Sequence, residues 1–239
     1  MTLLKKKMGD KGMKEFSCFD IVGPIMIGPS SSHTAGAARL GRIAGIIAGE
    51  KEILKVQFFL HGSFAKTYRG HGTDKALVAG ILGMDPWDER LKNSFEIAKE
   101  TDLKYEFIET DLGIDHPNTV KFIITRKDGS EVTVLGSSVG GGNIKISEID
   151  GQKVDFDGDY PTLIIKHKDV PGMISKVSTV ISEAGINIAF LKVYRKSKGL
   201  TAAMIFETDE IISENILNKI KDVGNIENIR CVNPVTEGK

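Results

Sequence analysis

Residues 160–232 fix more of the architecture than any other stretch, because their apolar pattern changes period in a set order. Residues 160–166 form an apolar strand, and Asp169-Val170-Pro171-Gly172 is a turn. Met173, Val177, Val180, Ile181 and Ala184 then mark one face of a helix, which Gly185 ends. Residues 186–195 and 200–207 read as strands around the turn Lys196-Ser197-Lys198-Gly199. Ile211, Ile212, Ile216, Leu217 and Ile220 make a second helical stripe, and residues 226–232 close as a strand. Strand, helix, strand, strand, helix, strand is the ferredoxin-like split βαβ order. Residues 151–159 are acidic and contain glycine, which reads as a linker. The expected class is α+β: a mixed α/β domain over residues 15–150, then a ferredoxin-like βαββαβ domain over residues 160–239.

The N-terminal domain turns on Ile27-Gly28-Pro29-Ser30-Ser31-Ser32-His33-Thr34-Ala35-Gly36. Gly28-Pro29 disfavours helix just before it, and the serines then offer an N-cap. Leu40, Ile43, Ala44 and Ile47 follow at helical spacing, with an end near Ala48-Gly49. The polar cluster is therefore expected at a helix N-terminus, where backbone N–H groups and the dipole favour a carboxylate or phosphate. A single serine suffices for a cap, yet residues 30–34 are all polar.

A strand over residues 55–60 leads to His61-Gly62-Ser63 and then to Thr67-Tyr68-Arg69-Gly70-His71-Gly72-Thr73-Asp74. Gly70 and Gly72 let the chain turn tightly beside His71 and open its imidazole to a ligand. Thr73 or Asp74 is expected to cap the next helix, whose Ala76, Leu77, Gly80 and Ile81 face inward. Residues 88–100 read as one polar surface helix. Residues 104–108, 119–125, 131–139 and 143–149 read as strands, with a hairpin turn at Lys127-Asp128-Gly129-Ser130. The loop Asp115-His116-Pro117-Asn118-Thr119 presents His116 and Asn118 together. Gly140-Gly141-Gly142 lacks P-loop spacing, and a bend between strands is expected there.

Lysine plus arginine and aspartate plus glutamate both number 32 in this 239-residue chain, which argues against nucleic acid as a main partner. Residues 1–16 carry lysines but no apolar core of a signal peptide, and no apolar run is long enough to span a bilayer. The chain has two cysteines, Cys18 and Cys231, which suits the cytoplasm and is too few for a cubane iron–sulfur cluster. His33, His61 and His71 lack zinc-site spacing, so no metal site is expected in the chain. No dinucleotide fingerprint is present.

Two resemblances follow from these residues. Asp169-Val170-Pro171-Gly172 and Gly185-Ile186-Asn187-Ile188 resemble an ACT domain, the regulatory module of many amino-acid enzymes. That resemblance makes Asp169, Gly172, Asn187 and Ile188 effector-binding candidates, with pure assembly as the other possibility. Residues 28–36, His61-Gly62-Ser63, residues 70–74 and His116-Pro117-Asn118 resemble the beta chain of iron–sulfur-dependent L-serine dehydratases. Some relatives carry Pro where this sequence has Ala37. The family implies conversion of L-serine to pyruvate and ammonia, with a 4Fe–4S cluster held by a separate alpha subunit. It also implies a symmetric oligomer. Within that frame His71 and His116 are the catalytic candidates, because imidazole titrates near neutrality. Ser30, Ser31, Ser32, His33, Thr34 and Asn118 are the substrate-binding candidates. A related domain serves as the allosteric substrate-binding domain of some phosphoglycerate dehydrogenases. That leaves a non-catalytic, amino-acid-sensing role as the alternative.

Overall fold

The computed structural model describes residues 25–49, 52–114, 116–195 and 198–234. Cys18, the expected start of the first domain, Asp115, and Lys196-Ser197 lie outside the described residues.

A six-stranded sheet and a four-stranded sheet organise the chain. The larger holds β1 (Ile53–Gly62), β2 (Lys104–Glu109), β3 (Asn118–Arg126), β4 (Glu131–Gly140), β5 (Asn143–Ile149) and β6 (Gln152–Phe156), in the order β2-β1-β3-β4-β5-β6. Only the β1–β2 pair is parallel, so a crossover must join these strands. It contains α2 (Ser63–Thr67), α3 (Thr73–Ile81) and α4 (Ser94–Glu100). Helix α1 (Ala37–Ala48) precedes β1 and packs against α3.

Alternation explains the sheet's inner face. Val56, Phe58 and Leu60 of β1 are buried opposite Ile124, Phe122 and Val120 of β3, and the Phe58 and Phe122 rings meet edge to face at 5.6 Å. Leu40, Ile43, Ala44 and Ile47 of α1 lie on that core as their spacing predicts, and Gly49, at φ 83°, ends the helix.

The smaller sheet holds β7 (Thr162–Lys168), β8 (Ile188–Arg195), β9 (Thr201–Thr208) and β10 (Ile226–Val232), in the order β10-β7-β9-β8. With α5 (Met173–Glu183) and α6 (Glu214–Lys221) it makes the expected βαββαβ unit. Leu163, Ile165, Met204 and Phe206 face the helices. The opposite face is not free, because Ile164, Ile205 and Val232 join the buried core of the larger unit.

Three local expectations are corrected. Residues 151–159 are not a bare linker: Gln152–Phe156 is a sheet strand that buries Val154 and Phe156, its charged residues taking the outward positions. Residues 88–100 are not one helix. Asp88 caps a 3-10 turn (Glu89–Asn93), and the α-helix starts anew at Ser94, whose hydroxyl donates to Lys75 O at 2.8 Å. Ile211 and Ile212 precede α6, with Ile211 exposed and Ile212 buried. The bend at Gly140-Gly141-Gly142 is present, with all three at positive φ.

Candidate functional site

The serine-rich stretch caps its helix, as expected, and then departs from α geometry. Ser30 Oγ accepts from His33 N at 3.1 Å, and Ser31–Gly36 form a π-helical turn ahead of α1. Two close approaches fit that turn to its surroundings. A Cβ on Gly28 would lie 2.5 Å from the Thr34 side chain, and one on Gly36 would collide with Ser138. His33, half-buried on this turn, meets Ser63 and Thr67 of α2 and Thr73 of α3.

Three hydroxyls bracket the His33 ring. Thr67 Oγ1 and Thr73 Oγ1 lie 3.3 and 3.4 Å from Nδ1, and Ser63 Oγ lies 3.3 Å from Nε2. Thr67 donates its own proton to Ser63 O at 2.9 Å. Toward His33 it can therefore only accept; with the proton on Nδ1, Nε2 is the basic nitrogen facing the Ser63 hydroxyl. Phe64 packs edge-on to the ring at 5.2 Å and His71 at 4.8 Å. Burial, and secondarily the nearby His71, push the His33 pKa below the ordinary 6.5. Both effects favour the neutral ring.

His71 sits at the exposed rim. Its carbonyl accepts from Thr34 Oγ1 at 3.4 Å and its N–H donates to Thr67 O at 3.1 Å. A cavity of about 500 Å³ adjoins it, lined by Thr67, Arg69, Gly70, His71 and Glu109. Neither Thr73 nor Asp74 caps α3; Gly72, at φ 69°, takes that position, freeing Thr73 to face His33. Burial raises the Asp74 pKa, and its carboxylate accepts from Lys75 N at 2.8 Å.

His61 is structural. Its Nδ1 accepts from Leu112 N at 3.1 Å, so Nε2 carries the proton and donates to Ile114 O at 2.8 Å. Gly62 next to it is required: a Cβ there would lie 2.6 Å from the Pro117 backbone. Ser63 N donates to Pro117 O at 2.7 Å, which draws the His116-Pro117-Asn118 loop to the His33 site. Asn118 N donates to His116 Nδ1 at 3.3 Å. Asn118 Oδ1 is buried without a hydrogen-bond partner among the described residues. Ser30, His33, Thr34 and His71 thus gather in one region, and the backbone of the loop carrying His116 and Asn118 reaches it through Ser63. Ser31 and Ser32 lie on the same turn, half-buried. Ser63, Thr67 and Thr73 are the members that sequence reasoning missed; Ser63 and Thr67, four apart on a helix, share a face, which is a readable signal.

The four effector candidates do not gather within one chain. Asp169 ends β7, accepts from Gly199 N at 2.8 Å and pairs with Arg195 at 3.1 Å, with Gly172 beside it. Asn187 and Ile188 open β8 at the opposite end of the sheet, where Asn187 Nδ2 donates to Asp209 at 2.7 Å. Among the described residues no three His, Cys, Asp or Glu side chains are placed to hold a metal ion, and no helix is long and apolar enough to cross a membrane.

Comparison with protein families matches residues 17–102 to the serine dehydratase beta chain and residues 161–225 to the ACT domain. The chain is 42% identical, over 88% of its length and 95% of the relative's, to the L-serine dehydratase beta chain of Peptoniphilus asaccharolyticus. The chain belongs to the L-serine dehydratase beta-chain family. The probable L-serine dehydratase beta chain of Bacillus subtilis strain 168 is 44% identical over 90% of this beta chain and 96% of its own length. A D-3-phosphoglycerate dehydrogenase of Methanocaldococcus jannaschii is 29% identical over 80% of the beta chain, which covers 32% of that enzyme. In this beta chain the ACT match runs from β7 through α6 and ends just before β10, and the dehydratase match includes Ser30, His33, Thr34, Ser63, Thr67, His71 and Thr73 but not His116 or Asn118.

Proposed function

We propose that this beta chain binds L-serine and manages its protons in an L-serine dehydratase that yields pyruvate and ammonia. The observation that carries the proposal is the desolvated His33 ring held by three hydroxyls beside an exposed histidine. His33 Nε2 takes the Cα proton of L-serine. The β-hydroxyl leaves as water, taking a proton from His71 or His116, and the enamine left behind takes up water to give pyruvate and ammonia. Asn118 Oδ1, a buried acceptor with no hydrogen-bond partner among the described residues, takes the substrate ammonium. The Ser30–Thr34 turn and its helix N-terminus take the carboxylate. His71, which is exposed, and His116, which is half-buried, remain as acid candidates.

The 4Fe–4S cluster does not fit this chain's donors. The sequence has two cysteines, and Cys231 lies on β10, half-buried, with burial raising its thiol pKa. We assign the cluster to an alpha subunit, and we place the complex in the cytoplasm. The division between domains falls after β6 on this reading, near residue 157.

Assembly follows from the β8 edge. Phe190, Leu191 and Val193 are exposed along it, with Ile174 on the adjoining helix. A two-fold pairing through β8 would set the Asp169 end of one copy beside the Asn187 end of the other. That would assemble the effector residues from two chains.

Serine-dependent pyruvate formation is expected only when this chain is mixed anaerobically with a cluster-bearing alpha chain. Iron and sulfide should be found in the separated alpha chain alone. Turnover by this chain by itself would overturn the assignment. The pH profile supplies a second check. A base works unprotonated, and burial disfavours the imidazolium, so activity persists until pH falls through the lowered His33 pKa. The acid limb of kcat/KM is therefore expected below 6.5. A limb at or above that value would point away from His33.

A further inference from the structure

The cleft between the two sheets plays no part in the reading above. It has a volume of about 660 Å³ and opens between the β5–β6 corner and the face of the smaller sheet. Ile149, Val154 and Ile164 give it an apolar floor. Arg230 and Asp150 form one charge pair across it, with Nη2 donating to Oδ2 at 2.8 Å. Lys166 and Glu227 form another at the rim, 3.3 Å apart.

The inner pair is anchored at its carboxylate end. Asp150 holds φ 50°, in the left-handed region, and its Oδ1 accepts from Thr133 N at 2.8 Å. Arg230 is 16% exposed. Among the described residues its guanidinium makes that single hydrogen bond, so further N–H donors are available toward the cleft. The lining carries two cations and two carboxylates. A phosphate or nucleotide would gain from the cations and lose as much to the carboxylates. A ligand with both signs and an apolar body is complementary to every wall.

We propose that this cleft binds a free apolar α-amino acid as its zwitterion. The carboxylate lies against Arg230 and Lys166, the ammonium against Glu227 and Asp150, and the side chain on the apolar floor. The site lies within one chain and adjoins the Asp169 end of the sheet, where Asp169 N donates to the lining residue Leu200 at 3.1 Å, and binding to it is measured without turnover. Its ligand touches both domains and so stabilises their docking.

Calorimetric titration of the full chain with L-leucine and with L-phenylalanine, up to about 10 mM, tests this. Saturable binding is expected for at least one, with inorganic phosphate binding at least about ten-fold more weakly. Arg230→Gln is expected to weaken binding about ten-fold or more. Lys166→Met, on the exposed rim, should do so without unfolding, with circular dichroism as the check. Asn187→Ala should leave binding unchanged. Absence of saturable binding would overturn the proposal. So would equal binding of phosphate, or binding that survives both cleft variants and disappears in Asn187→Ala.

Discussion

His33→Ala is expected to lower kcat in the reconstituted complex by about 10²–10⁴-fold, the range for a lost general base. That corresponds to about 3–5 kcal/mol of activation free energy. KM should change little, because the carboxylate and ammonium contacts assigned to the Ser30–Thr34 turn and to Asn118 remain. Serine-dependent pyruvate formation measures the loss, and far-ultraviolet circular dichroism checks the fold. The ring fills space against Phe64 at 5.2 Å, so His33→Gln serves as the variant that keeps volume and hydrogen bonding while removing the basic nitrogen. Both substitutions should give the same collapse in kcat. His71→Ala should cost less than either, because the His71 ring sits at the exposed rim and His33 is the ring held on both nitrogens. If His71→Ala were the more damaging and His33→Gln kept the acid limb of the pH profile, the base would be His71.

The contrast between these histidines shows where sequence reading reaches its limit. The glycines around His71 were legible as access, and His71 is exposed in the fold. The shell around His33 was not legible, because Ser63, Thr67 and Thr73 lie 30, 34 and 40 residues further along the chain. Their approach depends on the α1–α3 packing and on the turn at Gly62, which no local periodicity encodes. The same holds for the π-helical turn. Its first contact, the Ser30 cap, is local and was readable; its register answers to Ser138 on β4. The order of the βαββαβ unit was readable because each element states its own period within a few residues, although the second helix starts later than its apolar stripe, at Glu214. β6 was missed for the opposite reason. Val154 and Phe156 do alternate, but five residues flanked by acids and glycines carry too little pattern to distinguish an edge strand from a linker.

Gly80→Ala should produce the largest loss of stability among single-methyl additions in the larger domain. A Cβ there would collide with Ala38 O and lie 2.6 Å from Arg42 N, so it meets the backbone of α1, not a side chain that could rotate away. Overpacking of this kind costs about 1–3 kcal/mol, and contact with rigid backbone places it at the upper end. At this chain length each kcal/mol lowers Tm by about 2–4 °C, so a fall of about 6–12 °C is expected by calorimetry. Gly45→Ala is the internal control. Its Cβ would meet Ile81 O at 3.4 Å, an ordinary contact, and alanine is the better helix former by about 1 kcal/mol, so Tm should hold or rise. Equal melting of Gly80→Ala and the unsubstituted chain would mean that the two helices are further apart than described. The pair also links packing to chemistry. Helix α1 begins at the turn that carries His33, and α3 begins at Thr73, whose hydroxyl lies 3.4 Å from that ring. Forcing the helices apart at Gly80 should therefore loosen the Nδ1 contact. Gly80→Ala is expected to lose kcat even at temperatures where it is fully folded, whereas Gly45→Ala keeps it.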